Sequence, residues 1–145
     1  MPSIELILAK KGPKIHTVAK DLSVRDAAQV MNQHKIGAVV VVDGDRVEGI
    51  FTERDVLHRV VAEARDPGTT RVADVMTTDV VCCKPETKVV EARSVFKNRR
   101  IRHLPVVDDQ RGLVGIISIG DLNAFEADAQ EQTIHSLQEY LYGRT

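Results

Sequence analysis

Above all else, the chain repeats itself. Val24, Ala27, Val30 and Ile36 return 65 positions later as Val89, Ala92, Val95 and Ile101, and Val41-Val42-Asp43 return as Val106-Val107-Asp108. Asp26 meets Glu91 at the same offset. One extra residue near Gln110 lengthens the offset to 66, at which Gly49-Ile50 meets Gly115-Ile116, Thr52 meets Ser118 and Asp55 meets Asp121. Solenoid units usually run about 20–50 residues, so a longer repeat marks a duplicated small domain. In 145 residues neither copy buries much apolar surface alone, and the two have to pack on each other.

Each copy reads as strand, helix, strand, strand, helix. In the first, Ile15 to Ala19 is a short strand, and Ser23 is placed to cap a helix whose inner face carries Val24, Ala27, Ala28 and Met31. Gly37 is expected to end that helical region. Ala38 to Val42 is a β-branched run suited to a buried strand, and Asp43-Gly44 turns it into Val47 to Phe51 as a hairpin. A second helix is expected to carry Val56, Leu57, Val60, Val61 and Ala64 as a wide apolar stripe ending at Asp66-Pro67-Gly68. In the second copy the strand is expected at Val80 to Cys83, the helix at Val89 to Arg99 and the hairpin from His103 to Ser118. A last helix runs from Asp121 to Tyr142, with Leu122, Phe125, Ile134, Leu137 and Leu141 as its contacts. The fold class is therefore α/β in the broad sense (α+β): two β-α-β-β-α units related by a pseudo-two-fold. The expected divisions are an N-terminal helix at 1–13, repeats at 14–68 and 69–125, and a helical extension at 126–145.

Composition narrows the function by exclusion. The chain holds 20 Lys and Arg against 21 Asp and Glu, a net charge of −1, which gives no footprint for nucleic acid or an anionic membrane. The longest apolar run, Ala38 to Val42, is far short of the ~20 residues that span a bilayer. Glu5 and Lys10-Lys11 bracket too short an apolar segment for a signal peptide. The adjacent Cys82 and Cys83 point to opposite faces of a strand, which disfavours a disulfide, and no His, Cys or acid spacing suggests a metal. A reducing, cytoplasmic setting is the expectation.

Two segments carry a family resemblance. Ile36-Gly37-Ala38-Val39-Val40-Val41-Val42-Asp43 with Gly49-Ile50-Phe51-Thr52-Glu53-Arg54-Asp55 is one. Arg100-Ile101-Arg102-His103-Leu104-Pro105-Val106-Val107-Asp108 with Gly115-Ile116-Ile117-Ser118-Ile119-Gly120-Asp121 is the other, and Asp74-Val75-Met76-Thr77 looks like an entry into a repeat. Over roughly residues 14–125 the chain resembles tandem cystathionine-β-synthase (CBS) domains, the arrangement called a Bateman module. The resemblance implies a ligand cleft between the repeats for AMP, ADP, ATP, NAD or S-adenosylmethionine. It gives Thr52 and Asp55 to one site and Ser118 and Asp121 to the other, with Asp gripping ribose and the hydroxyl residue near phosphate.

The chemistry of those residue types agrees. A carboxylate is a pure acceptor suited to two adjacent hydroxyls, and free amides at a helix start attract phosphate. Arg54, Arg102 and His103 are candidate charged donors, and Ile36, Gly37 and Ala38 a candidate adenine face, with Gly37 permitting close approach. Met76, Thr77 and Pro105 complete the candidate ligand set. Because Gly37-Ala38 brings little charge and Arg102-His103 brings donors, the Ser118/Asp121 site is expected to take the more phosphorylated ligand. Thr52-x-x-Asp55 and Ser118-x-x-Asp121 also read as helix capping boxes, a role that spacing alone favours and that can coexist with ligand binding. The expected function is a regulatory, non-catalytic module without an obligatory cofactor. It would bind an adenosine-containing molecule and act through an unidentified effector protein. Surplus apolar stripes, Val56-Leu57-Val60-Val61 above all, suggest a homodimer. A nucleotide-free scaffold, and an enzyme using the cleft, are the alternatives.

Overall fold

A computed structural model describes residues 1–142 of the chain. It contains α1 (Ile4–Lys11), β1 (Thr17–Val18), α2 (Val24–His34), β2 (Ala38–Asp43) and β3 (Arg46–Thr52). A single helical turn, α3 (Glu53–Asp55), runs directly into a π-helical segment, Val56–Val61. Then come α4 (Val72–Val75), α5 (Val89–Arg99), β4 (His103–Asp108), β5 (Gly112–Ser118) and α6 (Ile119–Tyr142). The extension predicted over 126–145 is helical to Tyr142, and residues 143–145 lie outside the described residues. Among the described residues no helix is long and apolar enough to cross a membrane.

The two units share their strand register. In the first, Val41 faces Gly49 and Val42 faces Val47, so Glu48 is bulged out. In the second, Val106 faces Gly115 and Val107 faces Leu113, bulging Val114 at the matching place. The hairpin turns differ: Asp43 pairs with Arg46, whereas Asp108 pairs with Gly112, one residue further on. That longer turn is the insertion that moves the repeat offset from 65 to 66.

The first strands are unequal. β1 lies parallel to β2 with Thr17 facing Val40 and Val18 facing Val41. In the second unit the strand predicted at Val80 to Cys83 shrinks to one parallel bridge, Cys83 to Val106. Cys83 donates its N–H to the Pro105 carbonyl at 3.0 Å and accepts from the Val107 N–H at 2.8 Å. Extending this ladder towards Val81 would need an N–H on Pro105, and proline has none.

Two further expectations are corrected. The residue that ends α2 is Lys35, in the left-handed conformation, two places before Gly37. The second helix of the first repeat does not run as one α-helical stripe. Its π geometry, with the Ala62 N–H reaching the Leu57 carbonyl five residues back, turns Val60 inward and leaves Leu57 and Val61 on the surface.

Two apolar clusters form the core, and the entry helices are exchanged between them. The first gathers Val24, Ala27, Val39, Val41, Phe51 and Val60 with Val72 and Val75 of α4, which by sequence opens the second repeat. The second gathers Val89, Phe96, Leu104, Val106, Ile117 and Leu122 with Ile4 and Ile7 of α1, which precedes the first repeat. Backbone bonds fix both exchanges: Val72 N–H to the Leu22 carbonyl at 2.8 Å, and Ile4 N–H to the Thr87 carbonyl at 2.8 Å. In α6, Leu122 is buried and Phe125 packs against the core, while Ile134, Leu137 and Leu141 lie exposed rather than in contact.

Candidate functional site

Both Ser/Thr-x-x-Asp segments sit where a hairpin strand turns into a helix, and both form reciprocal caps. Thr52 Oγ1 accepts from the Asp55 N–H at 3.2 Å while Asp55 Oδ2 accepts from the Thr52 N–H at 3.0 Å. Ser118 Oγ accepts from the Asp121 N–H at 3.0 Å while Asp121 Oδ2 accepts from the Ser118 N–H at 2.8 Å. The capping role is thus formed at both places, and it fixes where each carboxylate points.

Each carboxylate also receives a donor from an entry segment. Thr77, just beyond α4, exchanges backbone bonds with Ile50 at 2.9 Å each way, and its hydroxyl donates to Asp55 Oδ1 at 3.1 Å. Arg59 lies 3.7 Å from the same oxygen. At the matching position of the other half stands Lys11, at the end of α1. Its ammonium donates to the Ile116 carbonyl at 2.6 Å and to Asp121 Oδ2 at 2.8 Å. One charged group thereby reaches both acceptors that Thr77 reaches with an amide and a hydroxyl. Burial alone would raise the Asp121 pKa, but the Lys11 and Ser118 donors outweigh it and hold the carboxyl below its ordinary value.

A cavity opens beside each carboxylate, and its walls cross between repeats. The first, about 180 Å³, is lined by Thr52, Glu53, Arg54, Asp55, Gly37, Ile50 and Thr77, with Ile101, Arg102 and His103 of the second repeat. The second, about 350 Å³, is lined by Ile116, Ser118 and Asp121, by Ile36, Gly37 and Ala38 of the first repeat, and by His103. Lys11, Lys14, His16 and Lys35 complete it. Ligand sites commonly run about 300–1,000 Å³, so the second is of that size as it stands and the first is below it. Gly37 and His103 line both: a Cβ on Gly37 would lie 3.5 Å from the His103 ring carbon Cε1. His103 is half-buried, and burial pushes its pKa down despite the nearby Glu53 carboxylate.

The predicted residues divide accordingly. Ile36, Gly37, Ala38, Thr52, Arg54, Asp55, Thr77, Arg102, His103, Ser118 and Asp121 all line one cavity or the other. Met76 instead packs against the first apolar cluster, and Pro105 is buried within β4; neither lines either cavity. The pairing of Arg102 with the Ser118/Asp121 site is corrected. The strand of one repeat walls the carboxylate of the other, so Arg102 faces Asp55, and the cations around Asp121 are Lys11, Lys14 and Lys35. Lys11, Lys14, His16 and Lys35 were missed, as were Ile50, Glu53, Ile101 and Ile116. For Lys11 a signal existed, since it precedes Thr77 by the same 66 positions that separate Asp55 from Asp121. Among the described residues no group of three or more His, Cys, Asp or Glu side chains is placed to hold a metal ion.

Comparison with known proteins agrees with this architecture. The family model described as the CBS domain matches twice, at residues 11–62 and 72–127. The mitochondrial CBS domain-containing protein CBSX3 of Arabidopsis thaliana is 37% identical over 128 residues, covering 85% of this chain. The chain spans 62% of that relative's length. The solved structure of the CBS-domain containing protein ATU1752 from Agrobacterium tumefaciens matches at a TM-score of 0.80 and 38% identity, over 86% of this chain and 99% of that one. The CBS domain protein PAE2072 from Pyrobaculum aerophilum, solved with AMP, shares the fold at a TM-score of 0.74 and 24% identity, over 83% of this chain and 89% of that one. With its doubled strand register, its exchanged entry helices and two matches to one family model, this chain belongs to the CBS-domain family as a tandem pair.

Proposed function

We propose that the chain is a regulatory module that binds adenosine-containing ligands in its two clefts and acts through a partner protein. One observation carries the reading: each capped carboxylate opens on a cavity whose far wall comes from the other repeat. A ligand there touches both halves at once, so its binding free energy depends on how they are set against each other. That dependence is what a sensor requires. In this reading Asp55 and Asp121 take ribose hydroxyls, and Ile36, Gly37 and Ala38 or Ile101, Arg102 and His103 line the base. The amides that begin α3 and α6 lie nearest phosphate. The AMP bound to PAE2072, a protein of the same fold, supports the ligand class.

The module is proposed to work as a homodimer. Leu57 is 58% and Val61 64% exposed in the single chain, a neighbouring apolar pair that a second copy would cover. A thermal-shift panel of AMP, ADP, ATP, NAD, NADH and S-adenosylmethionine tests the ligand reading. At 100 times Kd the gain is about 2.7 kcal/mol. A flat response to all six at millimolar concentration favours the nucleotide-free scaffold, which the satisfied capping boxes would serve equally well.

A further inference from the structure

The two clefts differ most sharply at one pair of matching positions, Thr77 and Lys11. Thr77 is a neutral donor whose hydroxyl can turn away from Asp55 without leaving a charge behind. Lys11 is an ammonium already bonded to Asp121 Oδ2 at 2.8 Å and to the Ile116 carbonyl at 2.6 Å. Its side chain is 33% exposed and that of Asp121 27%, so the pair stands at the cleft mouth, open to an incoming ligand. A ribose whose two hydroxyls take both Asp121 oxygens competes with the ammonium at Oδ2. Lys14 and Lys35 line the same cleft, and among the described residues Asp121 is the only carboxylate that does so; the next acid beside Lys11, Asp128, lies in the adjoining groove outside the cleft.

We propose that Lys11 biases the ligand class of the second cleft: it holds Asp121 Oδ2 in the empty protein and favours a ligand that brings a phosphate for the ammonium to bind. This rests on the nucleotide-binding reading above. The second cleft then selects phosphorylated adenosine ligands and disfavours the uncharged nucleoside. In the first cleft Asp55 is held by the neutral Thr77 hydroxyl at 3.1 Å and only loosely by Arg59 at 3.7 Å, and Arg54 and Arg102 balance Glu53 and Asp55 in the lining, so the demand is weaker. The separation of charge from charge is the physical source of the selectivity. An exposed pair is worth only a few-fold in affinity, but here it acts twice: against adenosine when it breaks, and for phosphate when the ammonium moves.

Titration calorimetry of the full chain carrying D55N, with adenosine and ATP as separate titrants, reads the second cleft. ATP is expected to bind more tightly than adenosine. Adding K11M should lower that preference by roughly ten- to twenty-five-fold, the product of two changes of about threefold to fivefold each. K11R, which keeps the charge, should retain it. A preference unchanged by K11M, or loss of all binding in D55N while the wild-type chain still binds, overturns the assignment to Lys11 and leaves the proposed function standing. Failure of the wild-type chain to bind either titrant removes both.

Discussion

Lys35 and Arg100, 65 positions apart, both end a helix in the left-handed conformation, each at φ 54°. A side chain there crowds the following carbonyl, at a cost of roughly 1–2 kcal/mol that glycine avoids. Arg100→Gly should therefore raise thermal stability, by up to about 1 kcal/mol once the greater freedom of glycine in the unfolded chain is deducted. Lys35→Gly should do the same while removing an ammonium from the second cleft, so that ATP affinity falls as stability rises. Calorimetric melting of both variants, with and without ATP, checks the pair.

Gly49 and Gly37 should respond differently to alanine. A Cβ on Gly49 would lie 2.7 Å from Met76 Sδ and 2.8 Å from the Thr77 carbonyl, and the backbone carbonyl cannot turn aside. Overpacking of this kind costs about 1–3 kcal/mol, and it pushes Thr77 off Asp55. On Gly37 the nearest atom is Glu53 Oε1 at 3.1 Å, the tip of an exposed side chain that can swing away. Denaturant midpoints should fall for Gly49→Ala and hold within about 0.5 kcal/mol for Gly37→Ala.

Asp55→Asn should act on the empty protein and on binding together. The Asp55 side chain is 8% exposed, caps α3 and accepts from Thr77. Loss of the cap is worth about 0.5–2 kcal/mol of stability. Loss of a charged acceptor for ribose is worth about 1.5–3 kcal/mol of affinity at the first cleft. Unchanged affinity with lowered stability would leave capping as the whole role of this residue.

Stability should fall as pH drops below 6.5, the ordinary histidine value. Burial depresses the pKa of His103, and burial with the nearby His34 and Lys14 depresses that of His16. In the unfolded chain both take up a proton near 6.5, while in the folded chain they resist it until lower pH. The unfolded state therefore binds more protons in that interval and is favoured there. His103→Asn should flatten the slope of melting temperature against pH just below 6.5. A slope unchanged by the substitution would assign it to other groups.

Leu57→Glu with Val61→Glu should yield a monomer by multi-angle light scattering at concentrations where the wild-type chain is a dimer. Both side chains are exposed in the single chain, so the monomer's own stability should change little. A wild-type chain that is monomeric across micromolar concentrations would remove the dimer proposal.

The duplication was legible because the core positions of each unit repeat: Val24 and Val89, Ala27 and Ala92, and Val41 and Val106 are all buried, each in the core of its own unit. The capped residues on the strand-to-helix turns were legible for the same reason, being local motifs. What escaped was the effect of single residues on backbone pairing, as where Pro105 stops a parallel ladder. The crossing of walls between repeats also escaped, because an offset of 65 shows which residues are alike and not which ones meet. Arg102 was therefore assigned to the carboxylate of its own repeat, and Lys11 was left in a helix outside both.

The exchange of entry helices has a consequence for synthesis. Ile4 and Ile7 belong to a core whose Leu104 lies about 100 residues downstream, and the whole first repeat is threaded between them. At roughly 5–20 residues per second, the α1 segment waits about 5–20 s outside the ribosome before its partner strand exists. The first repeat has its own entry helix α4 and can close during that wait. The second can close only when α1 meets the segment from Val89 to Leu122.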